Sequence, residues 1–84
     1  MKNKVLVQIS VPEINEEYDI YLPVNRTIGN VINLICHSIY ELSNGTFNGT
    51  NKTFLYNSLT GEKYSSEVLI RKTNIRNGTR LILI

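Results

Sequence analysis

Cys36 and His37 are the only thiol and the only imidazole in the chain, and they are adjacent. Such a pair does nucleophilic chemistry when the ring can take the thiol proton, which requires the two side chains to meet. On a helix, successive side chains diverge by about 100°, so neighbours in sequence turn away from each other. Cys36, beside Ile32 and Ile35, therefore belongs to the core or its edge, and His37 to a solvated helix surface. One His and one Cys fall short of a zinc set, and Glu13, Glu16, Glu17 and Asp19 lack the Asp/Asn/Gly spacing of a calcium loop. These four carboxylates could supply a general acid and base, but the tip of a hairpin would leave them in water. No Gly-rich loop joins a strand to a helix to cradle a phosphate. The chemistry on offer points to a binding module and not an enzyme, with no cofactor and no metal expected.

Asn25, Asn44, Asn48, Asn51 and Asn77 each begin an Asn-x-Ser/Thr triplet, the acceptor pattern of secreted glycoproteins. The start, "MKNKVLVQISVPE", has the lysines of a leader, but Gln8 and Ser10 interrupt its apolar positions and suit a strand. Without a leader the triplets would not meet the glycosylation machinery, and a chain rich in Asn and Thr produces them by chance. The lone Cys36 can form no internal disulfide and fits a reducing compartment. The apolar stretch around "VINLICHSI" is far below the ~18 residues of a membrane span. A cytoplasmic protein with no direct membrane insertion is expected.

The elements that must position any site follow from hydrophobic period. Val5, Val7, Ile9 and Val11 alternate with Lys4, Leu6, Gln8 and Ser10, a strand with one apolar face. Pro12 ends it, and "YDIYL" makes the second arm of a hairpin, with Tyr18, Ile20 and Leu22 on one face and Leu6 and Tyr21 on the other. From Thr27 the period becomes helical: Ile28, Val31, Ile32, Ile35, Ile39 and Leu42 form one stripe. Thr27 is a good N-cap and Gly45 can close the helix in the left-handed region. Its β-branched residues and Gly29 are poor helix formers, so packing on a sheet must hold it. "NGTFNGTNKT" reads as an exposed loop. "TFLYN" and "EKYSS" around "SLTG" read as a second hairpin turned by Gly61. "EVLIRKTNI" is a connection, and Asn77-Gly78 turns the chain into the last strand. With 84 residues, one domain over residues 1–84 is the expectation, an α+β fold of order β-β-α-β-β-β with a mixed sheet packed on one helix.

This order is that of the β-grasp, and the residues resemble ubiquitin-like proteins over nearly the whole chain. "TIGNVINLI" resembles the start of the ubiquitin helix, and Asn74-Ile75, leading to "LIL", resembles its end. "YDIYLPVNRTIGNVINLICHSI" with "IRNGTRLILI" is closer still to the YukD/EsaB proteins of Gram-positive type VII secretion systems. These share a Tyr/Phe-Asp-aliphatic strand, an aliphatic helix of this pattern and an Ile-x-Asn/Asp-Gly approach to a last strand. The loop from Gly45 to Lys52 departs from ubiquitin.

The resemblance implies that the last strand is central and parallel to the first, with Leu81 and Leu83 toward the helix and Ile82 and Ile84 on the opposite face. Either that face is an apolar contact site, as in ubiquitin, or neighbouring side chains cover it. The sequence stops at Leu83-Ile84 without the Gly-Gly tail of conjugated modifiers, so neither conjugation nor sulfur transfer is expected. The expected function is an accessory or regulatory role in a type VII secretion system, by protein contact. Arg80, Ile82 and Ile84, with Leu6 and Tyr21 as neighbours, would meet the cytosolic parts of a membrane ATPase or scaffold subunit. The chain would be a monomer or weak oligomer. Two alternatives stay open: a ubiquitin-like adaptor in another pathway, and a nucleic-acid-binding module using Arg71, Lys72, Arg76 and Arg80, for which a net charge of +2 argues little.

Overall fold

A computed structural model describes residues 3–84. Strands β1 (Lys4–Val11) and β2 (Glu16–Pro23) form a hairpin across a single 3-10 turn, Pro12–Ile14. Asn15 closes that turn in the left-handed region, at φ 54. Helix α1 (Ile28–Leu42) follows, then β3 (Leu55–Asn57), a second 3-10 turn at Ile70–Lys72, and β4 (Arg80–Leu83). The sheet order is β2-β1-β4-β3. Among the described residues only the β1–β4 pair is parallel, so the sheet is mixed, and β4 lies inside it. The inward residues of the strands and the stripe of α1 make one core, centred on Ile9, Val31, Ile35, Leu55, Leu81 and Leu83. No helix among the described residues is long and apolar enough to cross a membrane.

Every one of the first four N–H groups of α1 has an acceptor, which a helix with poor intrinsic propensity needs. Ile28 N–H donates to the Val68 carbonyl at 2.8 Å and Gly29 N–H to the Ser66 carbonyl at 2.9 Å. Asn30 N–H reaches the Thr27 hydroxyl at 3.2 Å, and Val31 N–H the Thr27 carbonyl at 2.9 Å. Gly29 is there because the connection comes so close: a Cβ on it would sit 3.2 Å from the Ser66 oxygen. At the other end Gly45, at φ +79, donates to the Tyr40 carbonyl at 2.8 Å.

Three expectations are corrected. Leu42, read as part of the buried stripe, is 62% exposed; it is the last residue of α1, and Ile39 is the last that reaches the core. The segment after Gly45 is not simply an exposed loop, because Phe47 is buried in the core. Gly49 lies so close against the helix that a Cβ on it would fall 2.4 Å from Cys36 Sγ. The segment is thus a strap pinned over the flank of α1. Finally, "EKYSS" forms no strand: one bridge joins Lys63 to Tyr56, so the sheet has four strands and not the five expected.

The reason lies in a buried polar group. Asn57 turns inward from β3, and its side-chain oxygen accepts from Leu59 N–H at 2.9 Å and Thr60 N–H at 3.1 Å. Its amide donates to the Tyr64 hydroxyl at 3.0 Å. That hydroxyl donates to the Asn74 side-chain oxygen at 2.6 Å. Tyr64 N–H still donates to the Leu55 carbonyl at 3.0 Å, but with its side chain drawn into the core the chain leaves β3 beyond that bond, and the Asn57–Tyr64–Asn74 chain ties the turn, β3 and the approach to β4 together.

Two measurements test this packing. Gly49→Ala should destabilise by about 1–3 kcal/mol through overpacking, and by less in a Cys36→Ala background, as read by urea unfolding. Tyr64→Phe should cost about 1–3 kcal/mol by leaving the Asn57 amide and the Asn74 oxygen without their partner. Burial is the main cause that raises the Tyr64 hydroxyl above its ordinary 10.0. The stability this represents is complete below that value and lost as pH rises through the raised one. Wild type should therefore lose stability above pH 10.0 more steeply than Tyr64→Phe.

Candidate functional site: the outer face of the sheet

The face of the sheet turned away from α1 is built by strand register. Leu6 lies opposite Tyr21, Gln8 opposite Asp19 and Ser10 opposite Glu17. Across β1 on the other side, Gln8 neighbours Arg80 and Ser10 neighbours Ile82. Ile82 in turn faces Tyr56, beyond which Lys63 bridges. Because side chains alternate along each strand, the inner partners of these rows are core residues: Leu81 and Leu83 are 1% and 0% exposed. Ile82 is half-buried on the outer face, while Ile84 is 59% exposed.

The five residues singled out from the sequence share this face but do not form one patch. Leu6 and Tyr21, 37% and 53% exposed, lie at one end, beside a shallow cleft also lined by Lys4, Gln8, Asp19 and Asn77. Ile82 and Ile84 lie at the other end, and the polar row Asp19–Gln8–Arg80 runs between. Leu6 and Ile82 stand about 13 Å apart along the strand direction, four residues at roughly 3.3 Å each. Arg80 belongs to the polar divider and Ile82 to the second patch.

Sequence reasoning missed the residues that complete the second patch. Tyr56 stands directly beside Ile82. Phe54 and Ile84 exchange backbone hydrogen bonds in both directions, at 2.8 and 3.1 Å, so Ile84 is held in the ladder. Lys63 Nζ sits 3.7 Å from the centre of the Phe54 ring, a cation–π contact that leaves a positive charge at the rim of the patch. The alternation of "TFLYN" could have placed Tyr56 outward, had Leu55 been assigned inward. Leu59, on the turn after β3, is 92% exposed, and only the turn geometry reveals it.

Burial raises the Cys36 thiol above its ordinary 9.0, which favours the unreactive protonated form at neutral pH. His37 is a surface residue with Nε2 3.8 Å from Glu41 Oε1. Among the described residues no group of His, Cys, Asp or Glu is arranged to hold a metal ion. Arg76, one of the four basic residues near the end of the sequence, donates to the carbonyls of Thr73 at 2.7 Å and Ile75 at 2.8 Å.

A four-stranded mixed sheet with a single helix packed on it, the last strand central and parallel to the first, defines the ubiquitin-like β-grasp fold. The ubiquitin-like domain of EccD5 from Mycobacterium xenopi superposes with a TM-score of 0.70 at 15% identity, covering 96% of this chain and 92% of that one. A chain of the MycP5-free ESX-5 inner membrane complex gives a TM-score of 0.71 at 15% identity over 98% of this chain, which matches 21% of that much longer one. A chain of the toluene 4-monooxygenase HD complex with the inhibitor 4-bromobenzoate gives 0.76 at 9% identity, covering 95% of each. At such identities the likeness shows the fold alone. No family model and no curated protein matches the sequence.

Proposed function

We propose that this protein is a non-enzymatic, cytosolic accessory or regulatory protein of a type VII secretion system, of the YukD/EsaB kind, that works by non-covalent contact. The observation that carries the contact role is the outer sheet face, where Leu6, Tyr21 and Ile84 stay exposed although the core buries sixteen other apolar side chains. Large apolar groups left out on an otherwise well-filled fold mark an interaction surface. The secretion reading draws support from the strand, helix and turn motifs at Tyr18–Ile39 and Ile75–Ile84, and from the fold it shares with EccD5 and a chain of the ESX-5 inner membrane complex. By this reading the partner is a cytosolic part of the membrane machinery, its ATPase or a scaffold subunit.

An adaptor role in another pathway would use the same face, and the identity of the partner separates the two. The nucleic-acid reading has less support, since the Arg76 guanidinium is spent on backbone carbonyls. Ile82→Ser with Ile84→Ser should leave the fold intact and abolish capture of the secretion ATPase or scaffold from native extract. Equal capture by the double variant would remove these residues from the site. Capture of nucleic acid or of unrelated proteins by wild type would overturn the secretion reading.

A further inference from the structure

The tripeptide Asn-Gly-Thr occurs three times, from Asn44, Asn48 and Asn77. Asparagine is a thermolabile residue, and most so before glycine, whose backbone nitrogen can approach the side-chain amide with no Cβ in the way. Since the three tripeptides are identical, the fold decides which of them reacts. The glycine nitrogen must shed its proton and swing over the asparagine Cγ, so an N–H fixed in a good hydrogen bond is withheld until that bond opens. Two of the three are fixed. Gly45 N–H donates to the Tyr40 carbonyl and Gly78 N–H to the Leu6 carbonyl, both at 2.8 Å. Asn77 is held a second time, its side-chain oxygen accepting from Leu6 N–H at 2.8 Å. Asn48-Gly49 is the exception. The strap is tied before it, by Phe47 N–H on the Ser43 hydroxyl at 3.2 Å, and after it, by Thr50 N–H on the Thr53 hydroxyl at 2.9 Å. Between these ties neither Asn48 nor Gly49 hydrogen-bonds to any of the described residues, and Asn48 is exposed.

We infer that Asn48 is a self-modifying site, converted with solvent water to aspartate and isoaspartate, and that the isoaspartate form lifts the strap from α1. The Gly49 nitrogen, its proton passed to a solvent base, bonds to Asn48 Cγ. The Cγ–Nδ2 bond breaks and ammonia leaves, closing a cyclic imide. Water then opens the ring. Opening at Cγ yields aspartate in an unaltered backbone, whereas opening at the main-chain carbonyl routes the chain through the side chain, as isoaspartate. Both products add a negative charge, and only the second lengthens the backbone, by a methylene. The strap has no room toward the helix to take up that length: a Cβ on Gly49 would fall 2.4 Å from Cys36 Sγ and 2.9 Å from Cys36 Cβ. Close-packed surroundings do not absorb an added methylene without a shift. Gly49 therefore moves outward, and Cys36 loses its cover. This chemistry does not depend on the contact role proposed above.

The test ages the full chain in mildly alkaline buffer, digests it with pepsin at acid pH, and locates by fragment mass each amide that has become a carboxylate. In the folded chain Asn48 should convert several-fold faster than Asn44 and Asn77, and in urea the three rates should converge. Conversion of Asn44 or Asn77 as fast as Asn48 in the folded chain, or the same lead for Asn48 in urea, would overturn the site. Release of the strap is read at Cys36 with a dithiobisnitrobenzoate thiol assay. Aged wild type should react several-fold faster than fresh wild type, and aged Asn48→Ser should react no faster than fresh. Fresh Asn48→Asp, which has the charge without the longer backbone, should match fresh wild type. A thiol rate that stays level while Asn48 converts, or an Asn48→Asp chain that reacts as fast as aged wild type, would overturn the release.

Discussion

The parallel pairing of β4 with β1 is the contact on which the rest of this fold depends. It joins two segments more than seventy residues apart in sequence, Ile9 with Leu81 and Ser10 with Ile82, so its loop-closure entropy must be met by what it buries. What it buries is the middle of the core. Leu81 and Leu83 complete the floor on which α1 rests, and among the described residues β4 is the one strand that β3 pairs with in the sheet. Asn77 and Gly78 set the start of this pairing by clasping Leu6: its N–H goes to the Asn77 side chain at 2.8 Å, and its carbonyl takes Gly78 N–H at 2.8 Å. The left-handed φ of +87 at Gly78 permits the turn that makes both bonds.

A central last strand also explains where function can reside. The inner face of β4 is committed to the core, and both of its edges are paired, so only outward side chains remain for a partner. Residues on neighbouring strands then share rows, and the row structure divides the face. Leu6 with Tyr21 forms one apolar station, Ile82 with Tyr56 and Ile84 another, separated by Asp19, Gln8 and Arg80. Under the proposed contact role, two apolar stations around a polar divider would ask for a partner with matching spacing, which would confer more specificity than a single apolar patch.

Much of this was legible in the sequence because period reports burial. The alternation in β1 and β2 and the three-and-four spacing from Ile28 to Ile39 assigned the inward faces, and Thr27 announced the start of the helix. What the period could not report was contact between segments with no period of their own. Phe47 sits alone among Gly, Asn and Thr, so nothing nearby marks it as a core residue. Tyr64 looks like one more strand aromatic until Asn57 and Asn74 are seen on either side of its hydroxyl. Leu42 fits the stripe by angle and fails by length. The sequence groups Arg80, Ile82 and Ile84 with Leu6 and Tyr21 as neighbours on one face; their division into two stations needs the register, and Phe54, Tyr56 and Lys63 enter only with the β3–β4 pairing.

Native-state hydrogen exchange measured residue by residue tests the central claim most directly, since β4 is held on both sides and should open only when the whole domain does. The amides of Leu81, Ile82 and Leu83 should then exchange with the same free energy as those of Val7 and Ile9, equal to that of global unfolding. Exchange of the β4 amides through a local opening of much lower free energy, with β1 and β2 still protected, would contradict the account.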